Sequence, residues 1–537
     1  MNVIFILLDS LNKSYIEPYG NRIVETRSMQ RLANKGVVFE NHFLGSAPCM
    51  PARRELFCGR KNEFLWKFWG CMEPYDRHIA LEAKNLGAVT ALVTDHYHYW
   101  EQGTGIYGYH ENYEYTNLIR GHEFDTASTE PLEDPAMYPQ WVKSYLKWRP
   151  PEHISVQYYR NVKHLKEEKD FHAPKVMQSA CDWLDKNYTH EKFFLHIESF
   201  DPHEPWYIPE PYRSMYGEYN ENFTCWPPYQ NRKMFLKYME QASEEELQFV
   251  RNQYFGKVTM CDRWLGKIFD KMDEYNLWDN TMVILTTDHG HALAETDKII
   301  QQYAKSHPIF EDVANIPLII YHPEIKGGTR INSTFSTIVD VRATILEALG
   351  AKIDDSISPH GKSLIPVLKG EIESIRDFML YGTYGAGIGL TTFDTTYIRG
   401  FDMKNSLYTY TCSYPLMMSP ATISSLAEHF GLKSNYKTAI RLIKPFAKKI
   451  ESGFFIPKAI IPQWKIPMPP FFFGGGLTPE EQKRNYLFDR KKDPKFQNNL
   501  AGTLEGADLE KRMIEKLKEV MKEEGCPPEQ FKRLMLE

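Results

Sequence analysis

Short apolar runs that each end in a polar residue recur along the chain, and they constrain the fold more than any other feature. The first run is Asn2 to Leu8, and Asp9 follows it. Three more runs of this form span residues 88–95, 192–197 and 281–288. A strand buried in a parallel sheet reads as a continuous apolar run, and the carboxyl ends of such strands form the edge where ligands bind. We therefore predict four buried strands that deliver polar residues to one edge.

Helical patterns separate these strands. Apolar residues recur at helical intervals in residues 175–186 and over the long segment 244–275. Strands that alternate with helices predict a mainly parallel sheet covered by helices on both faces. Residues 378–412 instead alternate in hydrophobicity and carry Gly and Asn turns, which is typical of an antiparallel sheet. We predict an α/β fold with a smaller C-terminal α+β domain.

The change of pattern predicts two domains, at residues 1–375 and 376–537. The second domain is expected to contain the antiparallel sheet, an insertion at about residues 420–476 and a terminal helix. The insertion is basic and helical in its first half and rich in Pro and Phe in its second. We interpret it as a solvated helix and a packed surface loop in preference to a lid over a substrate.

Composition argues against several classes of partner. A net charge of −6 without a sustained basic stripe argues against a nucleic-acid-binding protein. The chain has no apolar run long enough to cross a membrane, and its first residues lack the features of a signal peptide. Eight cysteines without paired spacing favour free thiols in a reducing compartment. We predict a cytoplasmic protein whose partners are small molecules.

Two motifs carry candidate chemistry. The stretch CMPAR at residues 49–53 fits the CxPxR pattern that maturation enzymes recognise when they oxidise a cysteine to formylglycine, an aldehyde. Asp9 and the pair Asp288-His289 follow two apolar strands, and carboxylates with an imidazole suit a divalent cation. Each motif alone has a plain structural explanation, as a thiol buried in a turn or an acid that caps a strand.

The order of these motifs resembles that of the type I, formylglycine-dependent sulfatases of the alkaline phosphatase superfamily, relatives of the phosphonate monoester hydrolases. Four more segments carry the resemblance, which spans nearly the whole chain. They read FDPHEPW at 200–206, TTDHGHALAE at 286–295, KSHPIFEDVANIPLII at 305–320 and NYLFDRKKDPKFQNNLAG at 485–502. The resemblance implies an alkaline-phosphatase-like fold and hydrolysis of an organic sulfate monoester, with a sulfated carbohydrate as the expected substrate.

The resemblance also implies a nucleophile and a cation. A formylglycine-generating or anaerobic maturation enzyme would convert Cys49 to formylglycine (3-oxoalanine), whose hydrate attacks sulfur. One divalent cation is expected, with Ca²⁺ preferred and Mn²⁺ as the alternative. Its implied ligands are Asp9, Asp288, His289 and the oxygen on residue 49.

Three further residues receive roles from the resemblance. Arg53 and Lys305 would neutralise the charge of the sulfate, and His203 would protonate the departing alcohol. Lys305 stands one residue farther from Pro317 than the family spacing, so that Lys298 is an alternative. For His203 the alternative is a turn histidine that caps backbone groups.

Two positions depart from the family's pattern. Ser10 stands where most sulfatases have a second Asp, and the phosphonate hydrolases also lack this acid. Asp95 stands where a Lys is expected, which removes one anion-binding charge. Either His96 or His98 is the candidate base or substrate contact, or Asp95 and His98 simply bond each other.

Other functions stay open. A phosphonate monoester or phosphodiester hydrolase with the same nucleophile is the nearest alternative, and a non-catalytic binder of sulfated ligands on the same fold is the other. Trp66, Trp69 and Trp100 are candidates for a sugar platform or for core packing.

Overall fold

The computed structural model describes residues 1–101, 106–146, 154–227, 232–293, 303–305, 307–413, 449–468 and 476–537. The strands in these ranges are β1 Asn2–Leu8, β2 Val37–Phe39, β3 His42–Phe43, β4 Ser46–Ala47, β5 Val89–Thr94, β6 Tyr115–Leu118, β7 Phe193–Ser199, β8 Thr281–Thr286, β9 Ala292–Leu293, β10 Tyr303–Ala304, β11 Leu318–Tyr321, β12 Thr329–Ile331, β13 Ser336–Thr337, β14 Phe378–Thr383, β15 Ile388–Thr392, β16 Thr395–Arg399, β17 Leu407–Thr411, β18 Glu451–Gly453, β19 Gln463–Met468 and β20 Tyr486–Asp489. The α-helices are α1 Arg27–Lys35, α2 Cys49–Cys58, α3 Ile79–Asn85, α4 Gln140–Leu146, α5 Ile154–Val162, α6 His172–Asn187, α7 Arg232–Gln241, α8 Glu244–Glu274, α9 Glu311–Ala314, α10 Ile338–Ala348, α11 Ile365–Leu368, α12 Pro479–Lys483, α13 Ala507–Glu523 and α14 Pro528–Arg533.

The large sheet has the strand order β12-β2-β11-β8-β1-β7-β5-β6. Its strands β8, β1, β7, β5 and β6 are all parallel, which confirms the predicted mainly parallel sheet and the four predicted strands. Strand β11 is antiparallel to both β8 and β2. An antiparallel neighbour needs no crossover helix. The short α9 is the only helix among the described residues between β8 and β11.

Helices cover both faces of this sheet. In β1, Ile4 and Ile6 lie in one core with residues of α1, α6 and α8. Val3 and Phe5 lie in the other core with residues of α2, α3 and α10. Successive side chains of a strand point to opposite faces, so a strand covered on both sides must be apolar throughout. This explains the continuous apolar runs in the sequence.

The second sheet has the order β20-β16-β15-β14-β4. Its strands β14, β15, β16 and β20 form antiparallel pairs, as predicted for residues 378–412. The edge strand β4 comes from the N-terminal part and pairs parallel with β14. A third core joins Phe64, Leu65 and Trp66 to the C-terminal strands and to α13. The predicted boundary at residue 375 stays a prediction, because both parts of the chain contribute to this sheet and this core.

The insertion differs from its prediction where the structure describes it. Residues 414–448 and 469–475, which include most of the predicted basic helix, lie outside the described residues. Strand β19 lies within the predicted loop and pairs with β17 and β18. The sequence did not predict this strand because it contains Pro467, and proline has no backbone N–H to donate to a neighbouring strand. Strand β18 pairs only with residues 463–465, so Pro467 has a partner strand on one side alone.

All eight cysteines are free thiols, as expected. Among the described helices, none combines the length and the apolar composition that a membrane span requires.

Candidate active site

The carboxyl ends of the central parallel strands meet at one place. In the register of the sheet, Leu7 of β1 is level with Glu198 of β7 and with Thr286 of β8. Asp9 follows Leu7 by two residues and Asp288 follows Thr286 by two residues, and both acids are buried. The register therefore brings together two acids that are far apart in sequence, as the strand ends predicted.

Four potential metal-binding groups converge here, with ligand atoms within 4.8 Å of one another. They belong to Asp9, Cys49, Asp288 and His289. The Cys49 Sγ lies 3.4 Å from His289 Nε2 and 4.0 Å from Asp9 Oδ1. His289 Nδ1 lies 2.9 Å from the Gly290 carbonyl oxygen. Because a carbonyl can only accept, Nδ1 carries the proton and the Nε2 lone pair faces the group. Two carboxylates, a basic nitrogen and a fourth donor fit a divalent cation.

Arg53 ties the acids of this group together. Its Nη2 lies 2.9 Å from Asp9 Oδ2, its Nη1 lies 2.5 Å from Asp288 Oδ2, and its Nε lies 2.6 Å from Glu198 Oε1. One guanidinium thus faces three buried carboxylates. Burial, aided by the charge of Asp288, raises the pKa of Asp9 to about 8. This excess of negative charge is a second reason why the residues fit a cation.

Glu198 is a site residue that sequence reasoning missed. It lies near the end of β7, beyond Ile197, where the apolar run identified in the sequence ends. Besides Arg53, its carboxylate accepts a hydrogen bond of 2.8 Å from the Tyr99 hydroxyl. The signal was the same one that identified Asp9, an acid at the end of a buried strand.

Lys305 and His203 lie next to this group of potential metal ligands, and both are buried. The Lys305 Nζ is 3.3 Å from Cys49 Sγ and 2.6 Å from His203 Nε2. The structure thus brings Lys305 to the predicted nucleophile, while the alternative Lys298 lies outside the described residues. Burial lowers the pKa of His203, and the Lys305 ammonium lowers it further. At neutral pH this imidazole is therefore uncharged.

A buried ion pair holds the loop that carries His203. Lys257 of α8 donates to the carbonyl oxygens of His203 (3.0 Å) and Pro205 (2.8 Å). It also forms a salt bridge with Asp201, which His122 Nε2 approaches at 3.0 Å. Sequence reasoning missed Lys257, although a lysine among the apolar residues of a helix is itself a signal.

The two candidate bases occupy different environments. His96 is buried, and its Nε2 lies 3.9 Å from Asp9 Oδ2. His98 is partly exposed, and its Nδ1 lies 2.7 Å from Glu101 Oε2. The suggested bond between Asp95 and His98 is wrong, since Asp95 Oδ1 instead accepts from the Phe200 amide at 2.5 Å. Strand β5 ends at Thr94, and the Asp95 carboxylate lies beside His122 and Asp201.

The three tryptophans divide into core and border positions. Trp66 is 5% exposed and packs edge-on against Tyr410, so it is a core residue. Trp69 is partly exposed and meets the His98 ring edge-on at 5.1 Å. Trp100 packs against a cluster that includes Cys49. The structure therefore leaves Trp69 and Trp100 as candidates for contact with a substrate.

Comparisons with known proteins agree with this arrangement. The sequence model of the Sulfatase family matches residues 1–351. The multifunctional alkaline phosphatase superfamily protein PehA of Trinickia caryophylli is 25% identical over 423 residues, which cover 68% of this chain and 77% of the relative. The N-acetylglucosamine-6-O-sulfatase of Bacteroides thetaiotaomicron is 21% identical over 571 residues, which cover 97% and 86%.

Solved structures extend the comparison to the fold. The crystal structure of the phosphonate monoester hydrolase of Agrobacterium radiobacter matches with a TM-score of 0.61 at 18% identity, covering 97% of this chain and 96% of that one. At this identity the match establishes the fold alone, and it confirms the predicted alkaline-phosphatase-like architecture.

Proposed function

Because the chain belongs to the sulfatase family of sulfuric ester hydrolases, we propose that it cleaves the sulfate monoester of a carbohydrate. The reaction would use formylglycine at position 49 and one divalent cation. The observation that carries the proposal is the position of Cys49. Its Sγ lies 3.4 Å from the His289 nitrogen and 3.3 Å from the Lys305 ammonium. A group attached to residue 49 is therefore within reach of the candidate metal ligands and of the Lys305 ammonium, which contacts the candidate acid His203.

Two groups would complete the site. Formylglycine made from Cys49 by a maturation enzyme would supply, as its hydrate, an oxygen nucleophile that the thiol lacks. A cation held by Asp9, Asp288, His289 and residue 49 would withdraw charge from a sulfate oxygen. We favour Ca²⁺ over Mn²⁺ because carboxylate oxygens are hard ligands, while the single imidazole keeps Mn²⁺ as the alternative.

The basic residues divide the remaining work. Arg53 directs its guanidinium nitrogens at three carboxylates, so we assign it to hold the metal ligands in place more than to bind sulfate. Lys305 is the cation nearest residue 49 and would neutralise the sulfate oxygens. His203, whose Nε2 contacts Lys305, would protonate the departing alcohol.

Hydrolysis of a phosphonate monoester is the second candidate function, and Ser10 favours it. The Ser10 hydroxyl donates to Asp9 Oδ1 at 2.7 Å, and its amide donates to Asp288 Oδ1 at 3.1 Å. A hydroxyl here removes the charge of the second Asp that most sulfatases carry. The phosphonate monoester hydrolases also lack this second Asp, which is why Ser10 favours the second candidate. The charge of the substrate does not separate the two, because sulfate monoesters and phosphonate monoesters both present one negative charge.

The test combines a mass measurement with a substrate panel. The protein is coexpressed with a maturation enzyme, and the tryptic peptide that ends at Arg53 is examined for the conversion of thiol to aldehyde. Cys58 lies in the tryptic peptide ELFCGR and serves as an internal control that should keep its thiol mass. The matured protein is then assayed with a sugar sulfate, an aryl sulfate and an aryl phosphonate monoester.

We expect the aldehyde at position 49 and a higher kcat/KM on sulfates than on the phosphonate. A thiol that persists in the presence of the maturation enzyme would remove the proposed nucleophile and favour a non-catalytic binder. Faster turnover of the phosphonate would replace the first candidate function by the second.

A further inference from the structure

Glu123 is a buried carboxylate to which the proposed function gives no role. It lies in the loop after β6 and is 4% exposed. Its φ of +35° falls in the left-handed region, which disfavours residues other than glycine. Strained, buried, ionisable residues are concentrated at functional sites, where the surrounding structure holds them in place. The backbone outlier is therefore a reason to ask what its side chain contacts.

The side chain of Glu123 faces the predicted acid. Its Oε1 lies 3.3 Å from His203 Nδ1. Its Oε2 accepts a hydrogen bond of 3.1 Å from the hydroxyl of Tyr97, whose ring packs against Cys49. Oε1 makes no hydrogen bond within the described part of the chain. Burial and the charge of Glu204 raise the pKa of Glu123, so a positive charge on the imidazole 3.3 Å away would stabilise its carboxylate form.

The two nitrogens of His203 have opposite surroundings. Nδ1 lies 2.6 Å from the Glu204 carbonyl oxygen, so it carries a proton, and the Glu204 carboxylate is 3.4 Å away. Nε2 accepts from the Lys305 ammonium at 2.6 Å. His122 and His291 also lie close enough to influence the ring, and both are uncharged because burial lowers their pKa. Carboxylates thus surround Nδ1, whereas a cation sits on Nε2.

We propose that Glu123 is a positioning residue that lets His203 become an acid only after an anionic substrate has engaged Lys305. The inference rests on the proposed function. Before substrate binds, burial and the ammonium on Nε2 together keep the ring neutral. A sulfate oxygen that accepts the hydrogen bond of Lys305 releases Nε2, which takes up a proton from water. The carboxylates at Nδ1 stabilise the imidazolium, and Nε2 gives this proton to the alcohol oxygen as the S–O bond breaks.

Glu123→Gln tests the inference, because it keeps the size of the side chain and an acceptor for Tyr97 while removing the charge. Tyr97→Phe is the matched control, since it removes the hydrogen bond and leaves the carboxylate. The kcat is measured against pH for an alkyl or sugar sulfate, whose alcohol needs a proton, and for an activated aryl sulfate. Thermal melting verifies that both variants fold.

We expect Glu123→Gln to lower kcat about 10–100-fold on the unactivated ester and less than about 3-fold on the aryl ester. The alkaline limb of its pH profile should move to lower pH, because the imidazolium loses a stabilising charge. Tyr97→Phe should change both esters alike and by less than about 3-fold. An equal loss on both esters in Glu123→Gln would assign a merely structural role, and no loss on either would overturn the inference.

A measurement without turnover separates this inference from the proposed function. ¹⁵N-histidine NMR spectra are recorded while inorganic sulfate is added, with the His203 signal assigned through His203→Gln. The His203 ring should shift toward imidazolium in the wild-type protein and not in Glu123→Gln. A ring that stays neutral in the saturated wild-type protein would refute the inference even if the enzyme is an active sulfatase. An imidazolium without sulfatase activity would refute the proposed function instead.

Discussion

Arg53 and Arg54 are consecutive buried residues of α2, and the charges around them differ in number. Arg54 Nε lies 2.7 Å from Glu63 Oε2, and its Nη1 forms a salt bridge with Asp76. Arg60 Nε lies 3.5 Å from the other oxygen of Asp76. Two guanidinium groups therefore face two carboxylates, and this cluster is electrically complete as folded.

The Arg53 cluster is not balanced. Its carboxylates are Asp9, Asp288 and Glu198, and adding the ammonium of Lys305 still leaves one negative charge uncompensated. Uncompensated buried charge is costly, so such a group either keeps a proton, as the raised pKa of Asp9 indicates, or binds a cation in its place. The comparison teaches that the charge balance, more than the residue types, separates a cluster that binds a ligand from one that stabilises the fold.

The largest effect is expected from Cys49→Ala, which removes the proposed precursor of the nucleophile from the Arg53 cluster. Turnover should be abolished, because alanine cannot be oxidised to formylglycine. The free energy of unfolding should fall by only about 1 kcal/mol, since the side chain is small. Steady-state kinetics and chemical denaturation measure the two quantities. Cys58→Ala in the same helix should retain turnover. Equal losses of turnover in the two variants would contradict the functional difference between the Arg53 and Arg54 clusters.

Removal of the metal should have the next largest effect. After dialysis against a chelator, activity should disappear and the Tm should fall, because three carboxylates are left against one guanidinium and one ammonium. Added cation at about 100 times its Kd should restore about 2.7 kcal/mol of stability. Differential scanning calorimetry with Ca²⁺ and with Mn²⁺ identifies the better ligand. A Tm that the chelator does not change would contradict the assignment of this site. A Tm increase on added cation that is as large in Asp288→Asn as in the wild-type protein would contradict it as well.

Substitution of the two arginines tests the comparison directly. Arg54→Met should cost about 3–5 kcal/mol of unfolding free energy, because it leaves buried carboxylates unpaired. The kcat of its folded fraction should stay within about 3-fold of the wild-type value. Arg53→Met should lower kcat by about 10²–10³-fold, because the metal ligands lose their anchor. Similar kinetic losses in both variants would show that the two clusters are not separate.

The smallest effect concerns Glu55, the next residue of α2, which has no ion pair within 4 Å among the described residues. Burial raises its pKa to about 8, although Ser46 and the Glu63 amide donate to it. The native state then holds this proton up to about pH 8, whereas the unfolded state loses it near its ordinary value of 4.5. Stability should therefore decline by roughly 2–4 kcal/mol between pH 5 and pH 8. Denaturation at the two pH values should show a smaller decline in Glu55→Gln, and an unchanged decline would assign it to other groups.

The sequence predicted those parts of the site that follow from strand periodicity. Asp9 and Asp288 were expected to meet because each ends an apolar run, and β1 has the predicted bounds. The direction of β11 was not predictable, because a short apolar run has the same pattern in either orientation. Lys257 and Glu123 were missed for another reason. The position of Lys257 among apolar helix residues signals a buried charge, but its partners, like those of Glu123, depend on which loop packs over it, and no local pattern records that contact.

The pairing of β4 with β14 sets a time limit on the oxidation proposed for Cys49. Ser46 and Ala47, just before this cysteine, pair with Gly382 and Thr383, which follow more than 330 residues later. In the folded chain Cys49 is 3% exposed and out of reach of another enzyme. At ~5–20 residues synthesised per second, roughly 15–70 s pass between the appearance of the cysteine and that of its strand partner. During this interval residues 46 and 47 lack their strand partner.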